Sequence, residues 1–231
     1  MKILTVETSS RHFSLAFSDG DCVIVEKSLV LDKILSDSII PSVEEVLRKA
    51  KTPLTSLDGF AVGLGPGSFT SLRVGLATVK AFAFASGKPI VGIPSLDATA
   101  FGVPSTQKDI CVIADARRNL VYACFYTKKN AAFKRKSEYL LCGLDEVIKK
   151  IKSDTVFVGD GVPLLKEKLE AGRKMNSKAP LISFAQEKFW YPKASALACL
   201  AARRFARKQF DNPDTLIPLY LYPDDCQVGK P

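Results

Sequence analysis

The stretch Gly59–Ile93, GFAVGLGPGSFTSLRVGLATVKAFAFASGKPIVGI, contains the pattern that decides the fold. It begins with a short apolar run at Gly59–Leu64, which predicts a strand, and turns sharply at Gly65-Pro66-Gly67-Ser68. A helix is predicted from about Leu72 to Ser86, and a second strand at Ile90–Ile93. A strand, a helix and a strand in this order form a right-handed crossover, which predicts two parallel strands.

The N-terminal part of the chain predicts a β-meander followed by a helix. Lys2–Val6 and His12–Phe17 are strand-like, and a hairpin turn leads to a third strand at Cys22–Val30. Apolar residues at helical spacing predict an amphipathic helix over Ile39–Ala50, with its cap among residues 36–38. The first half is therefore expected to combine antiparallel and parallel strands in one sheet.

The second half of the sequence begins in the same way. Ile110–Ala114 predicts a strand, Asp115 lies in the turn that follows, and Leu120–Tyr126 predicts the returning strand. A shift of 108 residues places Glu7 on Asp115, which indicates an internal duplication, although chance pairing of two hairpins is the alternative. Further elements are predicted at about Leu144–Ile151, Thr155–Val158, Val162–Leu169 and Lys193–Lys208, the second a strand and the others helices.

Together these patterns predict an α/β protein of the actin-like/sugar-kinase class. We expect two similar α/β subdomains, 1–104 and 105–231, each opening with a β-meander. A chain of 231 residues with 47% hydrophobic residues is long enough to bury a core in each of them.

The positive charge lies in the second half. Residues 1–104 hold 10 Lys+Arg and 10 Asp+Glu, whereas residues 105–231 hold 23 and 14 and carry the whole net charge of +9. Such an asymmetry indicates attraction to a polyanion, and a merely solvated surface is the alternative. The candidate polyanion-facing residues are Arg117, Arg118, Lys134, Arg135 and Lys136.

Composition argues against a membrane or secreted protein. No apolar run reaches the ~18 residues that a membrane span needs, and the N-terminus lacks the pattern of a signal peptide. The six cysteines form no C-x-x-C pair, so we expect reduced, mostly buried thiols in a cytoplasmic protein.

Residues for catalysis or metal binding are scarce. The sole histidine, His12, falls in a predicted strand, and neither a G-x-S-x-G elbow nor a zinc-ligand spacing occurs. The loop Gly63–Ser68 lacks the Gly-Lys-Ser/Thr ending of a P-loop, so a structural turn is preferred to a phosphate cradle. No cofactor or metal is predicted, and the weak candidates for phosphate binding are Glu7, Thr8, Ser9 and Ser10.

The helix after the glycine-rich turn is apolar on most sides. Between Leu72 and Ala85 only Arg73, Thr78 and Lys80 are polar. Such a helix lies either at the centre of a larger core or at an interface, and the pattern alone leaves both open.

These residues resemble a known family. Val62–Thr70 followed by Leu72–Gly75 is similar to the signature of the TsaB (YeaZ) family, and the start Ile3–Ser9 fits as well. The resemblance extends to the segments Gly87–Ala98, Ala114–Arg117 and Pro218–Leu221, and it is dense over residues 1–126. Ser71 departs from the family pattern, which usually has glycine there.

The resemblance implies a non-catalytic subunit of the bacterial machinery that makes N6-threonylcarbamoyladenosine (t6A) at adenosine 37 of tRNA. It implies pairing with a homologous catalytic subunit, TsaD, joint work with a small ATPase, TsaE, and a homodimer when alone. TsaD carries a metal-binding His-x-x-x-His motif, and the corresponding residues here are Ser95 and Thr99. Hydroxyls are poor ligands for the metals that imidazole binds well, which favours the non-catalytic paralogue.

The resemblance also implies that pairing uses the helices at about 39–50 and 72–85. The residues predicted to contact the partner are Ile39, Ile40, Val43, Val46, Leu47, Leu72, Gly75, Leu76, Val79 and Phe82. The basic residues of the second half are then candidates for facing the tRNA. Apart from them, the resemblance implies that the chain associates with tRNA indirectly, through the complex.

Two other functions remain as alternatives. A small-molecule kinase or nucleotide-binding protein of the same fold would use Glu7 and Asp115 as acidic residues at the two turns. A peptidase would need ligands that a chain with one histidine does not offer.

Overall fold

The computed structural model describes residues 1–31, 35–129, 132–171 and 180–222, and at residue 171 the backbone only. The chain forms two compact units. Unit 1 comprises Met1–Gly102 and Tyr191–Pro218, and unit 2 comprises Val103–Trp190 and the chain from Leu219 onward. The predicted assignment of 105–231 to one subdomain is therefore corrected, because residues 191–218 return to unit 1.

Eleven strands and six α-helices lie within the described residues. In chain order they are β1 (Lys2–Glu7), β2 (His12–Asp19), β3 (Cys22–Val30), α1 (Leu35–Lys49), β4 (Gly59–Gly63), α2 (Phe69–Ser86), β5 (Ile90–Ile93), α3 (Ser95–Gly102), β6 (Asp109–Arg117), β7 (Leu120–Lys129), β8 (Ala132–Arg135), β9 (Leu140–Cys142), α4 (Leu144–Lys149), β10 (Thr155–Val158), α5 (Val162–Ala171), β11 (Ile182–Phe184) and α6 (Ala194–Ala206).

Unit 1 is a sheet covered on both faces by helices. The strand order is β3-β2-β1-β4-β5, antiparallel through the meander and parallel from β1 to β5. One face packs α1 and α2 against residues such as Val6 and Phe60, and the other packs α3 and α6 against Ile3 and Val91. The parallel strands are buried along their whole length, which explains their continuous apolar sequences.

The termini of α1 and α2 differ slightly from their prediction. The expected cap residues 36–38 already lie inside α1. Ser68 occupies the N-cap position of α2, and its hydroxyl lies 3.0 Å from that of Ser71 and makes no cap bond to the backbone. At the other end Gly87 adopts the left-handed conformation, with φ of 64°, that commonly ends a helix.

Unit 2 repeats the topology of unit 1. Its sheet has the order β11-β10-β6-β7-β8, which matches β5-β4-β1-β2-β3, and β9 adds to β7. α4 precedes β10 as α1 precedes β4, and α5 joins β10 to β11 as α2 joins β4 to β5. The predicted fold, with two similar halves that each open with a meander, is confirmed.

Among the described cysteines, Cys22, Cys111 and Cys142 are free thiols. Cys111, Cys124 and Cys142 are buried in unit 2, whereas Cys22 is exposed, and Cys226 lies outside the described residues. Burial raises the pKa of the Cys111 thiol well above its usual value, so this side chain is a packing group. No helix within the described ranges reaches the length and apolarity needed to cross a membrane.

Candidate functional sites: a closed strand-end cleft and an exposed helix face

The carboxyl ends of β1, β4 and β5 meet around a buried carboxyl group. The side chain of Glu7 is fully buried at the end of β1. Its Oε1 accepts a 2.6 Å hydrogen bond from the backbone N–H of Ser9, and its Oε2 accepts a 2.7 Å bond from the hydroxyl of Ser95. That hydroxyl in turn accepts a bond from the backbone N–H of Gly65. Burial raises the pKa of Glu7, and the bonds from Ser9 and Ser95 offset part of that rise.

The glycine-rich loop fits against this group because it lacks side chains. A Cβ added at Gly63 would lie 2.1 Å from Oε2 of Glu7, and one added at Gly67 would lie 2.0 Å from the carbonyl oxygen of Ser9. The same carbonyl accepts a 2.8 Å bond from the backbone N–H of Ser68. The glycine-rich loop and the turn after β1 are therefore in direct contact.

The weak candidates for phosphate binding lie in this packed turn. Glu7, Thr8 and Ser9 are buried, and an acidic carboxyl is unsuited to hold an anion. Ser10 is half-buried, and its hydroxyl accepts a bond from the backbone N–H of His12. The turn packs inward, and phosphate binding by these residues stays a prediction.

Ser95 and Thr99 lie one turn apart on α3 and are both buried. Ser95 donates to Glu7, and the hydroxyl of Thr99 donates a 3.0 Å bond to the carbonyl of Ser95. Both hydroxyls thus serve internal hydrogen bonds. Across the described part of the chain, no three His, Cys, Asp or Glu side chains are grouped closely enough to hold a metal ion.

Most residues predicted to contact a partner belong to the core of unit 1. The buried ones are Ile39, Val43, Val46, Leu47, Leu72, Gly75, Leu76 and Val79. A Cβ added at Gly75 would lie 2.3 Å from the hydroxyl of Thr8, so α2 approaches the end of β1 closely. In the single chain the buried side chains face the sheet, and Ile40 is exposed and Phe82 half-exposed. Contact of these residues with a partner stays a prediction.

The opposite face of α2 is apolar and exposed. Phe69 and Phe84 have 49% and 58% of their surface accessible, and the Arg73 guanidinium lies 3.8 Å from the centre of the Phe69 ring. We call this surface the outer α2 face, and its exposed residues are Phe69, Arg73, Ala77, Ala81, Phe84 and Ala85. The sequence carried this signal, because the helix is apolar all round, but periodicity does not say which side packs inward.

A groove lies beside the outer α2 face. It has a volume of about 550 Å³ and is lined by α1, by the segment 51–54 and by Phe82 of α2. Ile40 and Leu54 supply apolar lining, and Glu44 and Arg48 supply charge. Groove and face together form a mixed apolar and charged surface, which is typical of a protein interface.

The basic candidates of unit 2 do not form one patch. Arg117 and Arg118 lie at the β6–β7 turn, whereas Lys134 and Arg135 lie on β8, beside the other end of β7. Lys134 and Arg135 pair with Thr127 and Tyr126, whereas Arg117 pairs with Leu120. At the rise of a strand, that separation along β7 places the two groups roughly 20 Å apart. Lys136 is paired with Asp109.

Comparison with known proteins shows the family of this chain. A family model described as TsaD, tRNA N6-adenosine threonylcarbamoyltransferase, matches residues 31–227. The tRNA threonylcarbamoyladenosine biosynthesis protein TsaB of Bacillus subtilis is 29% identical over 96% of this chain and 94% of its own length. The chain belongs to the TsaB/YeaZ family.

The fold of the TsaB/YeaZ family is also recovered by structure. YeaZ from Pseudomonas aeruginosa superimposes with a TM-score of 0.80 at 22% identity, covering 95% of this chain and 99% of that one. An uncharacterized Mycobacterium leprae protein is 38% identical over 54% of this chain, which spans only 35% of that longer relative.

Proposed function

We propose that this chain is a non-catalytic scaffold subunit in the formation of t6A at adenosine 37 of bacterial tRNA. It pairs with a TsaD-type catalytic subunit and works with a TsaE-type ATPase. The names of its curated relatives support a role in t6A biosynthesis. The observation that carries the scaffold role is the outer α2 face with its adjoining groove.

The exposed apolar side chains favour a protein partner. Phe69 and Phe84 stand on one helix face with small alanines between them, so a second helix can approach α2 closely. Burying them in a specific interface of about 800 Å² per side removes apolar surface from water. A second copy of this chain would offer the same face, so the homodimer and the TsaD-bound form compete for one surface.

The closed cleft supports a role without chemistry of its own. The Ser95 hydroxyl donates a hydrogen bond to the Glu7 carboxyl at the strand ends. The resemblance to the catalytic paralogue implies that this paralogue holds its metal at the position of Ser95. Of the two acids that the kinase alternative would use, Glu7 is buried, whereas Asp115 is exposed and accepts a bond from the backbone N–H of Arg117.

Reconstitution tests the proposal. Modification of tRNA is measured with a TsaD-type subunit, a TsaE-type ATPase, the threonylcarbamoyl-AMP-forming enzyme, ATP, threonine and bicarbonate, with and without this chain. We expect product only when the chain is present. Equal product in its absence would remove the scaffold role.

A further inference from the structure

The β6–β7 turn holds two arginines in an unfavourable backbone conformation. Arg117, Arg118 and Asn119 have φ values of 63°, 52° and 60°. Arg117 pairs with Leu120, so Arg118 and Asn119 form a two-residue hairpin loop. Positive φ at both loop positions is what a type I′ turn requires, and asparagine or glycine usually supplies it. Arginine pays a steric cost in this region because its Cβ approaches the following carbonyl oxygen.

The turn is held firmly from below. The Asp115 carboxylate accepts a 2.7 Å bond from the backbone N–H of Arg117, and Asp160 accepts a 3.0 Å bond from that of Asp115. The Tyr222 hydroxyl donates a 2.7 Å bond to the carbonyl of Ala116. The backbone is thus fixed while the side chains of Arg117 and Arg118 are exposed.

The equivalent turn of unit 1 has the opposite character. It follows β1 as this turn follows β6, but its residues Thr8 and Ser9 are buried beneath α2 and the glycine-rich loop. The same place in the fold is therefore a packed turn in one unit and an exposed basic turn in the other. Backbone strain retained at an exposed position points to a function of the side chains.

We propose that Arg117 and Arg118 bind phosphodiester groups of the tRNA directly, an inference that rests on the proposed role in tRNA modification. The guanidinium group forms paired hydrogen bonds with phosphate oxygens, and a fixed backbone lowers the entropy lost on binding. Unit 2 attracts the same ligand, since its two segments hold 18 Lys+Arg against 12 Asp+Glu. Contacts to phosphates position the RNA without reading its sequence.

The two arginines can be replaced by residues that suit the turn better. Arg118→Asn and Arg117→Gly each remove one charge and relieve the positive-φ strain. We expect each variant to be more thermostable, with a Tm rise of about 2 to 4 °C. Each is also expected to bind RNA more weakly, by roughly fivefold to tenfold near 0.1 M salt, because one phosphate contact is lost.

The measurement is the fluorescence anisotropy of labelled tRNA against the full chain, alone and paired with a TsaD-type subunit, over a series of salt concentrations. The slope of log K against log salt should fall by about one for each arginine. Lys149→Gln is the matched control, since it removes one exposed charge of unit 2 from α4. It should leave the affinity nearly unchanged.

Stabilised variants that bind tRNA as tightly as the wild type, with the same salt slope, would overturn the proposal. An equal loss of affinity in Lys149→Gln would also overturn it, because the effect would then be diffuse charge. Unchanged RNA binding with weaker binding to the TsaD-type subunit would assign the turn to an acidic protein surface instead. These binding measurements do not depend on catalysis. Their outcome can therefore be distinguished from a failure of the chain to stimulate tRNA modification.

Discussion

The hydroxyl of Ser95 donates a 2.7 Å hydrogen bond to Oε2 of Glu7, although 88 residues separate them in the chain. The bond joins the first residue of α3 to the last residue of β1. It links the carboxyl end of β1 to the helix that follows β5. The bond therefore holds two distant parts of unit 1 together, and it gives the buried Glu7 carboxyl one of its hydrogen-bond donors.

The buried carboxyl predicts a specific pH dependence of stability. Burial raises the pKa of Glu7 above its ordinary 4.5, so the folded chain holds this proton more tightly than the unfolded chain. The stability from Glu7 is complete below about pH 4.5 and is lost as pH rises through the folded-state pKa. In Glu7→Gln that loss is absent, so the variant should gain stability relative to wild type as pH rises.

Urea unfolding between about pH 4 and about pH 8 measures this difference. Glu138→Gln, at an exposed position of unit 2, is the control and should track the wild type. A constant gap between Glu7→Gln and the wild type across that range would contradict the assigned pKa direction.

The close approach of Gly63 to Glu7 predicts energetic coupling. Gly63→Ala alone should cost about 1 to 3 kcal/mol, because the new Cβ overlaps the Glu7 carboxyl. Glu7→Ala removes both the obstacle and the buried acceptor, at a cost of about 1 to 3 kcal/mol. The double variant should cost at least about 1 kcal/mol less than the sum of the single ones.

Equilibrium unfolding of the four proteins measures this coupling. Gly143→Ala serves as the control substitution, since a Cβ there meets nothing within 4 Å. Combined with Glu7→Ala it should be additive. Additivity in the Gly63 pair as well would show that the loop moves away from Glu7 at no cost.

The exposed face of α2 predicts which substitutions separate pairing from folding. Phe84→Asp should weaken homodimer and TsaD binding by 100-fold or more, or about 3 kcal/mol, as expected for a central aromatic contact. Its Tm should stay close to the wild-type value, because Phe84 is 58% exposed. Leu76→Glu should instead unfold unit 1, since Leu76 is buried.

Size-exclusion chromatography with light scattering and a direct binding titration measure the pairing. Ile24→Asp is the matched control, because Ile24 is 55% exposed on the edge strand β3 of the same unit. If Phe84→Asp is folded and still binds both its second copy and the TsaD-type subunit as tightly as the wild type, the outer α2 face is not the interface.

Periodicity predicted most of the strands and helices and the repeat of this fold, because these depend on local apolar spacing. It did not predict β8, β9, β11 or α3. Apolar runs predicted β1, β4 and β5, and the order of strand, helix and strand predicted the crossover through α2. The direction in which α2 packs was not readable, since both of its faces are apolar and the sheet decides which is buried. α6 was assigned to the wrong unit. Its apolar face packs on the Ile3 side of the first sheet, and the local sequence of a helix does not indicate which sheet it covers.

The closed cleft was likewise hidden from the sequence. Glu7, Gly63 and Ser95 are far apart in the chain, and only the parallel strand ends bring them together. A polar run such as Glu7–Ser10 after a strand is typical of a ligand-binding turn, and no local pattern distinguishes it from one that packs inward.

The internal hydrogen bonds of α3 predict that its hydroxyls matter for stability and not for chemistry. Ser95→Ala should cost about 1 to 3 kcal/mol, since it leaves Glu7 Oε2 without its donor. Thr99→Ala should cost less, because the Ser95 carbonyl it bonds already lies within α3. In the reconstituted reaction at a temperature where both variants are folded, each should support the same rate of tRNA modification as the wild type.

The rate must be read beside the extent of pairing. If Ser95→Ala is folded and pairs fully but tRNA modification falls more than tenfold, the hydroxyl takes part in the reaction and the scaffold role is incomplete. If modification falls only in proportion to the folded fraction, Ser95 acts through the fold. The second result is expected, because a hydroxyl already bonded to a buried carboxyl has no free proton to offer a substrate.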